Sequence, residues 1–209
     1  VELSNIKKWI KPAIVALPSK RMLLIAFALL LLFLSVGTPL LNRWVYPLEY
    51  EDYILDSAEA TGADPYLVMA IIRVETKFDP DKQSRVGAQG LMQIMPDTVD
   101  EIVEKGNFSP AMRDYVNDPA MNIRMGSWYV AALAREFKGK GNQVAVVAAA
   151  YNAGPGSVNK WLKSGVWDGK RQTISKIPYG ETRHYVQRVT WYYDKYKQIY
   201  KDLPKNKQK

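Results

Sequence analysis

Apolar residues gather into one unbroken run near the start of the chain and afterwards recur at helical spacing. The 20 residues from Met22 to Leu41, MLLIAFALLLLFLSVGTPLL, contain no charge. As a helix rising ~1.5 Å per residue, such a run spans roughly 30 Å, the thickness of a bilayer core. A helix buried in a soluble core would normally carry polar punctuation, and this run has almost none. Lys7, Lys8, Lys11, Lys20 and Arg21 precede it, and Arg43 closely follows. The positive-inside bias therefore predicts a single-span transmembrane anchor over 22–41, with a basic cytoplasmic segment over 1–21 and residues 44–209 outside. Trp44 and Tyr46 then fall at the outer interface. Ser35-Val36-Gly37 is a weak small-x-small exit, so removal of the run as a signal peptide is the alternative.

Beyond Leu48 the pattern changes to short amphipathic helices with recognisable ends. EYEDYILDSAEATG predicts a first helix closed by Gly62. Asp64-Pro65 supplies an N-cap and first helical position for PYLVMAIIRVET, which brings Val68, Ile71, Ile72 and Glu75 near one face. Residues 77–93 hold Pro80, Gly87 and Gly90, lack helical period and predict a loop or small irregular hairpin. Pro96 opens a third helix ending near Gly106, and Asp118-Pro119 repeats the cap-plus-proline start for a long one. Asn142 can cap the very apolar VAVVAAAYNAG, which predicts a fully buried helix broken at Gly154-Pro155-Gly156. SVNKWL gives one or two further turns. Residues 164–178 predict a polar loop with few anchors. A final helix from Glu181 sets Tyr185, Val189, Tyr192 and Tyr196 along one face. The expected fold is mainly α, a helical domain over 48–200 with a small irregular or β insert, preceded by one transmembrane helix. A lysine-rich, disordered tail over 201–209 follows.

Composition narrows the function. The chain has no cysteine, which removes disulfides, thiolate metal sites and a cysteine nucleophile. His184 is the only histidine, so neither a zinc site nor a Ser-His-Asp triad is expected. No phosphate loop or nucleotide fingerprint is present, and no cofactor is expected. Net charge is +8, but residues 1–43 hold +5 of it and the last nine residues the remaining +3. The globular part is near neutral, so no nucleic-acid footprint is indicated.

Candidate chemistry sits in VETKFDPDKQSRVGAQGLMQIMPDT, residues 74–98. Glu75 closes an apolar helix face, where poor hydration favours the neutral carboxyl and raises its pKa. Gly87 and Gly90 let backbone approach closely. Asp79 and Asp81, the nearest acids in sequence, read as solvated turn residues.

Three blocks in order, ETKFDPDKQSRVGAQGLMQIMPDT, AAYNAGPGSVNKWL and IPYGETRHYVQRV, resemble the lysozyme-like lytic transglycosylase domain over roughly residues 50–200. The resemblance implies a lysozyme-like α+β fold and a single catalytic glutamate at Glu75. It also places the family's serine on Ser84 and its Gly-Leu-Met-Gln run on Gly90, Leu91, Met92 and Gln93. Its Ala-Tyr-Asn-Ala-Gly run falls on Ala150–Gly154 and its Glu-Thr-Arg-x-Tyr run on Glu181, Thr182, Arg183 and Tyr185. One departure is visible: Thr76 stands where serine is usual, which keeps the hydroxyl and adds a methyl group.

The resemblance implies cleavage of peptidoglycan glycan strands at the MurNAc-GlcNAc β-1,4 bond. The muramic C6 hydroxyl attacks the anomeric carbon, giving a 1,6-anhydro product, with Glu75 acting first as acid and then as base. A hydrolytic muramidase, or a non-catalytic peptidoglycan-binding scaffold, remains the alternative. Ser84 can hold the Glu75 carboxyl or bond its own loop. Met92 can be a pocket wall or core filler, whereas Gln93 between apolar pairs needs partners for its amide. Tyr151 and Asn152 offer a phenol and an amide toward a glycine-rich turn. Glu181 is either a first-turn acid favoured by the helix dipole or a residue beside the substrate groove. Tyr185 is either core or a donor to Glu75.

Overall fold

The structure, a computed structural model, describes residues 19–82 and 84–203. Most of the basic segment expected over 1–21, and all but three residues of the expected tail, lie outside the described residues. The chain divides between Trp44 and Val45 into two compact units, each described by itself.

The first unit corrects the expectation of one unbroken helix over 22–41. Helix α1 covers Lys20–Leu32, a π-helical turn covers Phe33–Gly37, and α2 covers Thr38–Val45. Among the described residues no helix is long and apolar enough to cross a membrane. The interruption has a local cause. Pro39 contributes no N–H to the ladder, and the Ser35 hydroxyl donates to the Leu32 carbonyl at 2.9 Å, competing with the backbone for that acceptor. Gly37 lets the Phe33 ring lie close, since a Cβ there would meet it at 2.6 Å.

The second unit is helical, and the short polar signals in the sequence set its helix starts. The Asp64 carboxylate accepts from the Tyr66 N–H at 2.9 Å and opens α4, Pro65–Glu75. Asp118 accepts from Met121 N–H at 2.9 Å at the start of α6, Pro119–Glu136. Asn142 accepts from Ala145 N–H at 3.0 Å ahead of α7, Gln143–Ala153. Gly62, at φ 75°, closes α3, Glu51–Thr61, and Pro96 begins α5, Pro96–Lys105. Asp118→Ala should cost about 1 kcal/mol, the usual worth of such a cap. A urea melt would show it as a lower midpoint with unchanged slope.

Helix α4 is buried almost all round, with Val68, Met69, Ala70, Ile71 and Ile72 fully inaccessible. It packs against α3, α6 and α9 (Gly180–Ile199), and α7 packs against α6, α8 (Pro155–Ser164) and α9. The alanines of α7 permit close approach: Ala145 to Ala150 are all at 0% exposure. Helix α8 is longer than the one or two turns expected.

Two further expectations are refined. The insert after α4 takes the irregular form of the two expected, and among the described residues its β content is one antiparallel bridge between Gln89 and Ile94. The segment 164–178 is better anchored than its polarity suggests. Trp167 is fully buried, Ile174 and Ile177 are buried with it, and the Trp167 indole donates to the Lys170 carbonyl at 3.2 Å. A 3-10 turn, Arg171–Lys176, lies within it, and a second, Pro110–Tyr115, precedes α6.

Candidate functional site

Glu75 is the last residue of α4. The chain reverses immediately after it, with Lys77 and Phe78 at φ 59° and 70°. These are costly angles for residues with side chains. What holds them is the Phe78 side chain, 1% exposed and edge-on to Tyr196 at 6.3 Å. Thr76 ties the same corner down: its hydroxyl donates to the Leu91 carbonyl at 2.9 Å and to Ile72 at 3.3 Å. The hydroxyl retained by threonine therefore links the helix end to the loop beyond it.

The loop itself is a tight reversal over 89–94. Gln89 and Ile94 exchange both backbone hydrogen bonds at 3.0 Å, and Gly90 and Gln93 take positive φ of 67° and 48°. Its staple is Asn122 of α6, which the sequence reading did not single out. That amide is fully buried; it accepts from Met92 N–H at 2.8 Å and donates to Gln89 and Val116 carbonyls at 2.9 and 2.7 Å. Gly90 is required here, because a Cβ would stand 2.2 Å from the Asn122 nitrogen. Asn at the third place after Asp118-Pro119, inside an otherwise apolar helix face, was the available signal: a buried amide needs partners.

A third side of the site comes from α7 and α9. The Tyr151 hydroxyl donates to the Met92 carbonyl at 2.8 Å, and its ring meets Tyr129 at 5.7 Å. The Tyr185 hydroxyl donates to Glu75 Oε1 at 2.7 Å. Arg188, one turn on, donates to the carbonyl of Val74 at 3.0 Å.

Glu75 is partly buried, and burial pushes its carboxyl up from 4.5 to about 7. The Tyr185 hydrogen bond and the Arg188 charge pull the other way, while the Glu181 charge adds to the rise. Desolvation wins because a short phenol donor and one arginine do not replace a full hydration shell. Burial, with the Glu75 charge nearby, also holds the hydroxyls of Tyr151 and Tyr185 well above the ordinary tyrosine range, so both remain donors. Tyr185→Phe removes the only side-chain hydrogen bond made to Glu75 among the described residues. That donor favours the ionised carboxylate, so the Glu75 pKa should rise further without it. A pH profile of kcat/KM should show the alkaline limb displaced upward.

The remaining sequence candidates divide. Met92 is fully buried core and sits where a Cβ on Gly126 would meet its sulfur at 2.2 Å. The Gln93 amide donates to the Gly90 carbonyl at 2.8 Å within its own turn. Ser84 accepts from Val86 N–H at 3.2 Å; it bonds its own loop and not Glu75. Asn152 is partly exposed, and its amide makes no hydrogen bond among the described residues. Glu181 is exposed in the first turn of α9. Asp79 accepts from Asp81 N–H at 3.0 Å, the turn role expected of it. No group of metal-ligating side chains occurs among the described residues.

Glu75, Tyr185, Tyr151 and the 89–94 turn thus form one constellation, with the free Asn152 amide beside Tyr151 in sequence. It holds one carboxyl able to deliver and recover a proton near neutral pH. A family model described as the transglycosylase SLT domain matches residues 52–174. The chain is 36% identical over 166 residues to the soluble lytic murein transglycosylase of Escherichia coli (strain K12), covering 76% of this chain and 24% of that protein. It is 37% identical over 123 residues to the membrane-bound lytic murein transglycosylase C of Edwardsiella ictaluri, covering 56% and 34%. An inactive glutamate-to-glutamine mutant of the lytic transglycosylase Slt from Pseudomonas aeruginosa superposes with a TM-score of 0.64 at 36% identity, covering 73% and 24%. The chain therefore spans about a quarter of the length of the Escherichia coli and Pseudomonas aeruginosa proteins.

Proposed function

The chain belongs to the transglycosylase SLT domain family, and from that membership we propose that it is a peptidoglycan lytic transglycosylase with Glu75 as its single acid and base. The observation that carries the proposal is a carboxyl raised to about 7 and positioned by a 2.7 Å hydrogen bond from Tyr185. An acid of that strength is largely protonated at neutral pH and still able to accept the proton back.

Glycoside cleavage first needs a proton on the leaving oxygen of the MurNAc-GlcNAc bond, which Glu75 supplies. A retaining hydrolase would then use a second carboxylate, about 5 Å away, as nucleophile. Asp79 and Asp81 are exposed, and the Asp79 carboxylate accepts from the Asp81 N–H within a turn. Glu181 affects Glu75 through its charge but accepts no hydrogen bond among the described residues. In the proposed reaction the muramic C6 hydroxyl fills the gap. It gives its proton to the Glu75 carboxylate and closes on C1 as the 1,6-anhydro ring. The nucleophile arrives with the substrate, so proximity replaces the second acid. The relative whose glutamate-to-glutamine mutant is inactive supports an essential glutamate in this family.

Asn152, with an uncommitted amide, is the contact offered to the substrate's N-acetyl group, and Gln93 lies in the turn that Tyr151 holds through the Met92 carbonyl. We also propose that the charge-free run at 22–41 associates the chain with a membrane and that the catalytic unit faces the cell wall. The large apolar side chains of Met22–Leu34 are 51% to 69% exposed, an arrangement that is costly in water and favourable in hydrocarbon. A membrane-bound relative by name supports this placement. Mass spectrometry of a sacculus digest tests the activity. Fragments ending in 1,6-anhydro-muramic acid are expected, and fragments ending only in reducing muramic acid would assign a hydrolase instead.

A further inference from the structure

Beyond Arg188 the outer face of α9 carries two hollows of about 340 and 350 Å³ that adjoin through Gln187 and Trp191. Arg171, Gln172 and Ser175 bound the first, and Arg188 and Tyr192 bound the second. Each is of the size that holds a small ligand.

Of the two cations in the walls, one is paired with a carboxylate and the other binds a backbone carbonyl. Arg171 donates to Asp194 at 2.6 Å and to the Thr190 carbonyl at 3.1 Å, and Arg188 donates to the Val74 carbonyl. Gln172, Ser175 and Gln187 are exposed, and their side chains make no hydrogen bond among the described residues. Free amides and a free hydroxyl, with Arg171 paired to Asp194, suit a neutral, hydroxyl-rich ligand.

Trp191 provides the apolar part. Its indole is 46% exposed, yet fixed by Tyr192 edge-on at 4.8 Å and by Tyr46 at 5.6 Å. Tyr46 is itself held, its carbonyl accepting from the Tyr200 hydroxyl at 2.8 Å. A rotamer locked in this way presents an apolar plate at little entropic cost, matched to the C–H face of a sugar ring. The Lys195 ammonium stands over the indole, 5.7 Å from its centroid, and an arriving ring must displace it. Arg188, in the wall of the second hollow, also binds the carbonyl of the residue before Glu75.

We propose that this groove is a second holding site for N-acetylated polysaccharide, apart from the bond cleaved at Glu75, with Trp191 as platform and Gln187 and Gln172 as hydrogen-bonding flanks. The proposal rests on the lytic transglycosylase function above and adds a hold on long strands that a short fragment cannot use.

The test uses the full chain and two substrates, purified sacculi and a soluble tetrasaccharide fragment of peptidoglycan. Trp191→Ala should lower the ratio of kcat/KM for sacculi over fragment about tenfold, through KM, the loss expected for one aromatic contact and its buried area. Trp191→Phe should restore part of it, and Gln187→Ala should move the ratio in the same direction. In a Glu75→Gln background, co-sedimentation with sacculi should need about tenfold more protein for half-saturation once Trp191→Ala is added. This second readout stands even if the wild type cleaves nothing, which would overturn the catalytic function and leave the groove to be decided by binding. An unchanged ratio with unchanged sedimentation overturns the groove. So does weaker binding to phosphatidylglycerol vesicles with sacculus binding intact, which would assign the face to lipid.

Discussion

Glu75→Gln is expected to reduce lytic activity by roughly 10²–10⁴-fold, the worth of a positioned general acid. Glutamine keeps the size of the side chain and leaves an amide oxygen for the Tyr185 hydroxyl to donate to, so the corner after α4 should stay in place. What disappears is the transferable proton. The same substitution carries a stability signature whose sign follows from the raised pKa. A folded-state carboxyl at about 7, against 4.5 in an ordinary setting, binds more protons folded than unfolded between those values. Wild-type stability therefore falls as pH rises from about 4.5 to about 7. Glutamine never ionises and escapes that loss. At pH 8 the variant should be more stable than wild type by about 2 kcal/mol, discounted for the partial exposure of Glu75, and the gap should close by pH 4. Urea melts at the two pH values measure it. Full activity in the variant, or a stability gap independent of pH, would remove Glu75 from the proposed role.

Asn122→Ala is expected to have the largest effect on folding, about 3 kcal/mol or more. Its amide satisfies one N–H and two carbonyls from Met92, Gln89 and Val116, all from a position at 0% exposure. Truncation leaves those groups buried and unpaired, each at a cost of about 1–3 kcal/mol, with partial relief as the turn relaxes or admits water. The turn that loosens is the one whose Met92 carbonyl receives the Tyr151 hydroxyl, so activity should fall along with stability. Asn122→Asp separates the parts of the network. A carboxylate can still accept from Met92 N–H but faces the Gln89 and Val116 carbonyls with no donor, so no rescue is expected. A loss below about 1 kcal/mol on urea denaturation would mean that the turn holds itself.

The sequence showed what is local and missed what is distant. Asp64-Pro65, Asp118-Pro119, Asn142 and Gly62 mark helix ends because a cap acts on residues two to four places away, within the same few letters. Glu75 was legible for a similar reason: the apolar run that desolvates it is its own helix. The Tyr185 hydrogen bond spans 110 positions, and only the motif resemblance suggested it. Asn122 had no such help. Its partners lie 30 and 33 residues upstream and 6 residues upstream, and its one local signal, an amide on an apolar helix face, names none of them. Ser84 shows the converse: its oxygen accepts a local bond from Val86 N–H, and it makes no bond to the Glu75 carboxyl that the motif suggested. The segment 164–178 looked weakly anchored because its polar residues outnumber its apolar ones, yet one fully buried tryptophan, Trp167, fixes it. Near the N-terminus, apolar composition suggested an unbroken membrane helix, and the backbone demands of Gly37 and Pro39 divide it.

Whether water enters the reaction decides between the one-carboxylate mechanism and ordinary hydrolysis. Sacculi digested by the full chain in water enriched in heavy oxygen should yield 1,6-anhydro-muramic ends carrying no label, since both ring oxygens come from the substrate. Heavy oxygen incorporated at C1 of newly formed muramic ends would show that water is the nucleophile, and would contradict the mechanism built on Glu75 alone.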